Sequence, residues 1–340
     1  MKVLVTGGTG YIGSHTVVEL QQAGYEVIIV DDLSNSDISV LDSIEKISGI
    51  KPVFEQFDLS IAEKTNDFFQ RNQDINAIIH FAASKAVGES VQKPLMYYRN
   101  NLQSLINILQ CQLDYNIPNI VFSSSCTVYG QPDVLPVTEQ TPRQDAESPY
   151  GNTKRVNEDI LSDTIAAYPQ LKAIALRYFN PIGAHPSGLI GELPVGVPQN
   201  LVPFITQTAA GIREKISVFG DDYDTPDGSA IRDYINVVDL AKAHVVAIAR
   251  LLENRNKANY EIFNLGTGNG YSVLELVKGF EKASGVKLNY EIVGRRAGDI
   301  EKIWADTSYA TTELGWKAEK GLEETLASAW AWEKKLRGIN

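Results

Sequence analysis

The residues best suited to acid–base chemistry are Tyr150 and Lys154, in Tyr150-Gly151-Asn152-Thr153-Lys154 at the start of a helical stretch. An i, i+4 spacing puts both side chains on one helix face. A free phenol, with a pKa of about 10, is a poor base near neutral pH. A lysine ammonium beside it favours the phenolate, which can then take a proton from a hydroxyl as hydride leaves the same carbon. On its own the pair also fits an exposed helical surface. A nucleotide fingerprint upstream turns the reading towards catalysis.

That fingerprint is Gly7-Gly8-Thr9-Gly10-Tyr11-Ile12-Gly13, between a first apolar strand and an apolar helical stretch. Gly7, Gly10 and Gly13 allow a tight turn and let main-chain N–H groups approach a pyrophosphate at the positive end of the helix. Asp31 follows about 20 residues on, where an acid bonds the adenosine ribose hydroxyls and favours NAD over NADP. Asp32 beside it shares that candidacy. The positive nicotinamide of bound NAD would join Lys154 in favouring a Tyr150 phenolate.

Between the two motifs, Ser123, Ser124 and Ser125 close a strand and run into Cys126-Thr127-Val128-Tyr129-Gly130. Ligands in open α/β sheets bind at the carboxyl ends of strands, so a serine here faces the crevice. Ser125 is the chosen partner of the reacting hydroxyl. Ser123 and Ser124 fit equally as strand-end residues that satisfy the backbone. His80, His185 and His244 are scattered, and neither they nor the two cysteines have metal-ligand spacing. His15 reads as structural, and Cys126, with no histidine in evidence as its partner, as a packing residue.

The elements that must position these groups alternate. Residues 3–6, 26–30, 52–56, 77–81, 120–124 and 173–177 read as strands, with helical segments between them: an α/β fold with a Rossmann-type, doubly wound parallel sheet. Continuous apolar runs fit strands covered on both faces. From Pro181 the chain is rich in proline and glycine, which places a domain boundary there. Residues 1–180 are expected to bind the dinucleotide and residues 181–340 to form a smaller α/β substrate-binding domain. The apolar helix near 235–252 is expected to pack back on the first domain. A length of 340 residues suits two joined domains, and 44% hydrophobic with 21% charged residues is ordinary globular composition. The net charge of −11 disfavours nucleic acid and anionic membrane as partners. Two cysteines and only a short N-terminal apolar run point to the cytoplasm.

Taken together, Gly7 to His15, His80 to Ser90, Ser123 to Gly130, Ser148 to Lys154 and Arg177 to Gly188 resemble the UDP-glucose 4-epimerases of the extended short-chain dehydrogenase/reductase family, nearly end to end. The resemblance implies an isomerase that interconverts UDP-glucose and UDP-galactose through a transient 4-keto sugar and NADH. It makes Tyr150 the base, Lys154 the holder of the nicotinamide ribose, and Ser125 the relay at the sugar O4. It assigns Tyr11, Ile12, Asp31, Asn35, Ser36, Asp58, Leu59, Phe81, Ala82, Lys85, Asn100 and Phe179 to the NAD site. Ala83-Ser84, where relatives often carry glycine and leucine, is a departure that keeps the register.

For the UDP-sugar the resemblance assigns Arg232 and Arg296 to UDP, Asn180, Asn200, Leu201, Val218 and Phe219 to phosphates and uracil, and Asp299 to the uridine ribose. Lys85, Ser125 and Tyr150 border the substrate as well as the cofactor. Ile303 matches a position beside the sugar C2 substituent, bulky in relatives restricted to the unmodified sugars and small in those that accept N-acetylated ones. Isoleucine is intermediate, so weak turnover of N-acetylated UDP-sugars is expected. A homodimer through helices at 97–113 and 156–167 is also implied, with Leu102, Leu105, Ile106, Leu109 and Leu161 as surplus apolar positions. Two rival readings share parts of this pattern. A sugar-nucleotide 4,6-dehydratase would share fold and Tyr-Lys pair, but family dehydratases place an acidic pair where this chain has Cys126-Thr127. A non-catalytic NAD sensor would have no need of Tyr150, Lys154 and the UDP arginines together.

Overall fold

The computed structural model describes residues 1–296 and 299–339. The β-branched runs of the first half become parallel strands because each is followed by a stretch long enough to cross back over the sheet. In order they are β1 (Lys2–Thr6), α1 (Tyr11–Gln22), β2 (Glu26–Asp31), α2 (Val40–Ser48), β3 (Val53–Gln56), α3 (Ala62–Arg71) and β4 (Ile75–His80). Then come α4 (Val87–Gln92), α5 (Pro94–Asp114), β5 (Asn119–Ser125), α6 (Pro149–Ala167) and β6 (Lys172–Tyr178). The remainder runs β7 (Asn180–Ile182), α7 (Leu201–Ala209), β8 (Ile216–Phe219), β9 (Ile231–Asn236), α8 (Val237–Leu252) and β10 (Tyr260–Leu265). It ends with β11 (Gly270–Ser272), α9 (Val273–Ser284), β12 (Tyr290–Val293), β13 (Lys302–Ile303) and α10 (Leu322–Arg337).

Seven strands form one sheet in the order β10-β6-β5-β4-β1-β2-β3, with every neighbouring pair parallel. The order reverses between β1 and β4, which opens a crevice at the strand carboxyl ends. Alternation along the strands sends Val3, Val5, Ile29 and Ile79 to the face under α1, α2 and α8. Leu4, Ile28, Ile78 and Phe122 point to the other face, under α3, α5 and α6. The seventh strand, β10, has no counterpart in the sequence reading. Helix α8 lies against α1, and β10 pairs with β6, so the chain returns to the first sheet after leaving it.

The second region is smaller. β9 is flanked by β7, β11 and β13, a parallel pair β8–β12 stands apart, and α7, α9 and α10 enclose Ile205, Tyr234, Leu276, Phe280 and Leu326. Between the regions, Cys126, Val128, Tyr129, Val137, Phe179, Ile303 and Ala305 form a further apolar cluster. The Tyr11 hydroxyl crosses the same junction to donate to the Gly183 carbonyl at 2.6 Å. Among the described residues no helix is long and apolar enough to cross a membrane.

Candidate active site

The loop after β1 is built for close approach. Gly7 has φ +68°, and a Cβ there would stand 2.8 Å from the Ala82 nitrogen at the end of β4. A Cβ on Gly13 would lie 2.2 Å from the Gly7 carbonyl oxygen, so only glycine lets α1 begin so near the turn. Helix α1 opens at Gly10 with no side-chain cap and no acid in its first turn, leaving its first N–H groups and positive end to an anion. Asp31 is enclosed at the end of β2. Its Oδ2 accepts from the Thr9 amide at 3.2 Å, and its Oδ1 from the Leu33 amide at 2.9 Å and the Ser36 hydroxyl at 3.3 Å. Asp32 is exposed, which separates two acids that the sequence left level.

The other cofactor candidates gather at the same strand ends. The Phe81 and Ala82 amides donate to Thr6, and the Phe81 ring lies 4.6 Å from that of His244. Asp58 accepts the Ser60 amide at 2.8 Å, Asn100 donates to Ser84 at 3.4 Å, and Phe179 is buried after β6. Leu59 is buried, with its carbonyl accepting from Thr65 and Asn107; Asn35 is exposed in the loop after β2, and Ile12, half-buried in the first turn of α1, packs against the core. Open α1 amides, a glycine-lined turn and an acid ending β2 fit a dinucleotide.

Tyr150 and Lys154 both sit in the first turns of α6, which Ser148 caps by accepting the Gly151 amide at 3.2 Å, with Pro149 starting the helix. The Lys154 ammonium lies 6.0 Å from the Tyr150 ring centroid and donates to the Ser123 carbonyl at 2.6 Å. Burial pulls Lys154 down to about 7, against the nearby Glu158 charge, which raises it. Burial pushes the Tyr150 phenol well above its ordinary value, with Tyr178 adding to the rise and Ser125 opposing it. In the protein alone, burial therefore outweighs the help expected from Lys154.

The three serines separate cleanly. The Ser123 hydroxyl bonds the Tyr178 hydroxyl, and the Ser124 hydroxyl donates to Glu158 at 2.6 Å. Ser125 accepts the Thr127 amide at 3.2 Å and is the one of the three that stands beside the Tyr150 hydroxyl, whose pKa its hydrogen bond lowers. Burial pushes the Cys126 thiol up to about 12, as suits a packing residue.

On the second region, Arg232 of β9 donates to Asp299 at 2.8 Å and to the Ile300 carbonyl. Arg296 donates to the same Asp299 oxygen at 3.2 Å and lies over the Phe219 ring at 5.7 Å. One carboxylate oxygen thus holds two guanidiniums together. Asn200, ahead of α7, donates to Glu192 at 2.5 Å, and Lys85 lies 3.8 Å from the same carboxylate oxygen. Asn180 and Leu201 are half-buried, whereas Val218 is closed off, which leaves it main-chain contacts only. Ile303 is 1% exposed, backed by Val128, Tyr129 and Val137. Sequence reasoning passed over Glu158, Arg177, Tyr178 and Glu192. Only Glu158 had a visible signal, continuing the Tyr150, Lys154 helix face by another turn.

A family described as GDP-mannose 4,6 dehydratase matches residues 4–329. The UDP-glucose 4-epimerase of Haemophilus influenzae is 49% identical over 334 residues, covering 98% of each chain. That of Bacillus subtilis is 50% identical over 333 residues, 98% of this chain and 97% of its own. The crystal structure of UDP-glucose 4-epimerase from Bifidobacterium longum in complex with NAD+ and UDP superposes with a TM-score of 0.95 at 47% identity, covering 100% of both chains. The dehydratase description is the broader likeness, since Cys126 and Thr127 hold no acid at the strand end. Full-length relatives with about half their residues in common decide the matter: the chain belongs to the UDP-glucose 4-epimerase family.

Proposed function

We propose that this chain interconverts UDP-glucose and UDP-galactose at a site where Tyr150 is the base, Lys154 its positioning cation and Ser125 the hydrogen-bond donor at the sugar O4. The observation that carries the reading is the sorting of the three strand-end serines: Ser123 and Ser124 are engaged by Tyr178 and Glu158, and Ser125 is left beside Tyr150. NAD is the cofactor, and when bound it would supply the acceptor and donor of a hydride at the sugar C4. Gly7, Gly10 and Gly13 with the α1 amides hold its pyrophosphate, and Asp31 its adenosine ribose. Arg232 and Arg296 share the UDP diphosphate through forked donors. Tyr150 takes the C4 hydroxyl proton and returns it to the same oxygen once the keto sugar has turned its opposite face to the cofactor, while UDP stays anchored by these remote contacts. Residues 1–180 with α8 and β10 form the cofactor-binding part in this reading, and the rest of 181–340 the substrate-binding part.

Ile303 tests the sugar end. Its fixed backing makes a wall that cannot retreat, so wild-type turnover of UDP-N-acetylglucosamine is expected to be weak, and Ile303→Cys to raise it relative to UDP-glucose. Assays of both sugar pairs decide between two failures. An unchanged ratio removes residue 303 from selectivity, whereas absent interconversion of UDP-glucose and UDP-galactose by the wild type removes the function itself.

The homodimer belongs to the same reading, with a changed interface. Leu105, Leu109 and Leu161 are core residues, not surplus, because they fill the sheet face beneath α5 and α6. Leu95 and Ile106, 77% and 42% exposed, line up with half-buried Tyr98 and Leu102 along the outer face of α5. A second copy covering this stripe is expected. Ile106→Glu would bury a charge there and should convert dimer to monomer in light scattering at micromolar concentration. A wild type that is already monomeric sinks the idea.

A further inference from the structure

On helix α6 the face of half-buried Tyr150 and buried Lys154 continues one turn on to a buried acid. Glu158, 2% exposed, accepts from the Ser124 hydroxyl at 2.6 Å and from Arg177 Nε at 2.8 Å through Oε1. Its Oε2 accepts from Arg177 Nη2 at 2.6 Å and from Arg143 at 3.5 Å. The forked pair with Arg177, itself 3% exposed, fixes the carboxylate rigidly. One side chain therefore ties α6 to the ends of both β5 and β6. Ser124 is held towards the helix, and alternation along β5 sends Ser125 the other way.

We propose that Glu158 is a positioning residue for the catalytic pair: through Ser124 and Arg177 it sets α6 over the end of β5, and it places a carboxylate one turn from the Lys154 side chain. The inference rests on the function proposed above. Burial is what lowers Lys154, and the Glu158 charge is what opposes it. The other titratable groups facing Lys154 are Tyr150 on its own helix and His80 from β4, whose ring burial holds neutral with a pKa lowered to about 3. Facing Glu158 are Arg177, Arg143 and the buried Tyr260 from β10. Neutralising Glu158 leaves Arg177 as a lone cation behind Lys154, which acts in the same direction as losing the acid.

The test is the pH profile of kcat in the holoenzyme. Activity needs the ammonium, so it is lost as pH rises through the pKa of Lys154. Glu158→Gln is expected to move that alkaline limb down by about one pH unit. Glu158→Asp keeps the charge but cannot reach Ser124, and Ser124→Ala cuts the same tie. Both should lower kcat about tenfold, with the limb in place and KM for the UDP-sugar unchanged. Should Glu158→Gln fail to fold, these two variants still decide the positioning role. An unmoved limb in Glu158→Gln, a moved one in Glu158→Asp, or wild-type kcat in Ser124→Ala overturns the proposal. Absence of epimerisation in the wild type would instead overturn the function beneath it.

Discussion

Replacing Tyr150 with phenylalanine is expected to slow epimerisation by about two to four orders of magnitude, the usual contribution of a positioned general base. Cofactor content and UDP affinity should stay near wild type. The change removes one oxygen and keeps the ring that packs at the start of α6. Because burial holds the phenol well above its ordinary pKa in the protein alone, the hydroxyl is protonated there as in the unfolded chain near neutral pH, and its use as a base falls to the cofactor-bound enzyme. Stability then gains nothing from its ionisation, and a wild-type denaturant midpoint would tie the rate loss to the missing proton acceptor. Turnover assays beside UDP titrations check this; near-wild-type turnover would take the base role away from Tyr150.

The second large effect belongs to Gly13→Ala. The added Cβ would meet the Gly7 carbonyl oxygen at 2.2 Å and the Gly8 Cα at 2.8 Å, both main-chain atoms that no side-chain rotation can relieve. Either α1 slides or the turn opens, and each moves the amides that receive the pyrophosphate. We expect purified Gly13→Ala to carry little or no NAD by nicotinamide absorbance, and to lose about 3 kcal/mol or more in denaturant unfolding. Gly10→Ala, whose nearest contact is 3.2 Å, should be milder. Full cofactor content with a wild-type midpoint in Gly13→Ala would mean that the loop tolerates what its geometry forbids.

The motifs and six of the seven sheet strands were legible because buried parallel strands are apolar without interruption and glycines must stand where backbone meets backbone. β10 hid for the opposite reason. As an edge strand it carries Glu261, which accepts a forked pair of bonds from Arg250, and Asn264, which accepts from the Tyr129 hydroxyl at 2.7 Å. Those polar residues break the apolar run although each is satisfied inside the fold. The serine triplet was unreadable because identical side chains are sorted only by distant partners, Tyr178 and Glu158. The helix stripes misled at Leu105, Leu109 and Leu161 because α5 and α6 must cover the sheet before they can offer a face outward.

The return of α8 and β10 to the first sheet gives chain order a role in folding. When a ribosome has released residues 1–180, β6 is still an open edge, and the apolar sheet face that α8 will cover is bare. Neither is closed until residue 265 has emerged, by which time much of the smaller second region has been made as well. The region built on the seven-stranded sheet therefore cannot mature as a finished module awaiting its neighbour. The long sequence separation of β6 and β10 makes this a late, slow pairing, and the two regions are joined by the order of synthesis.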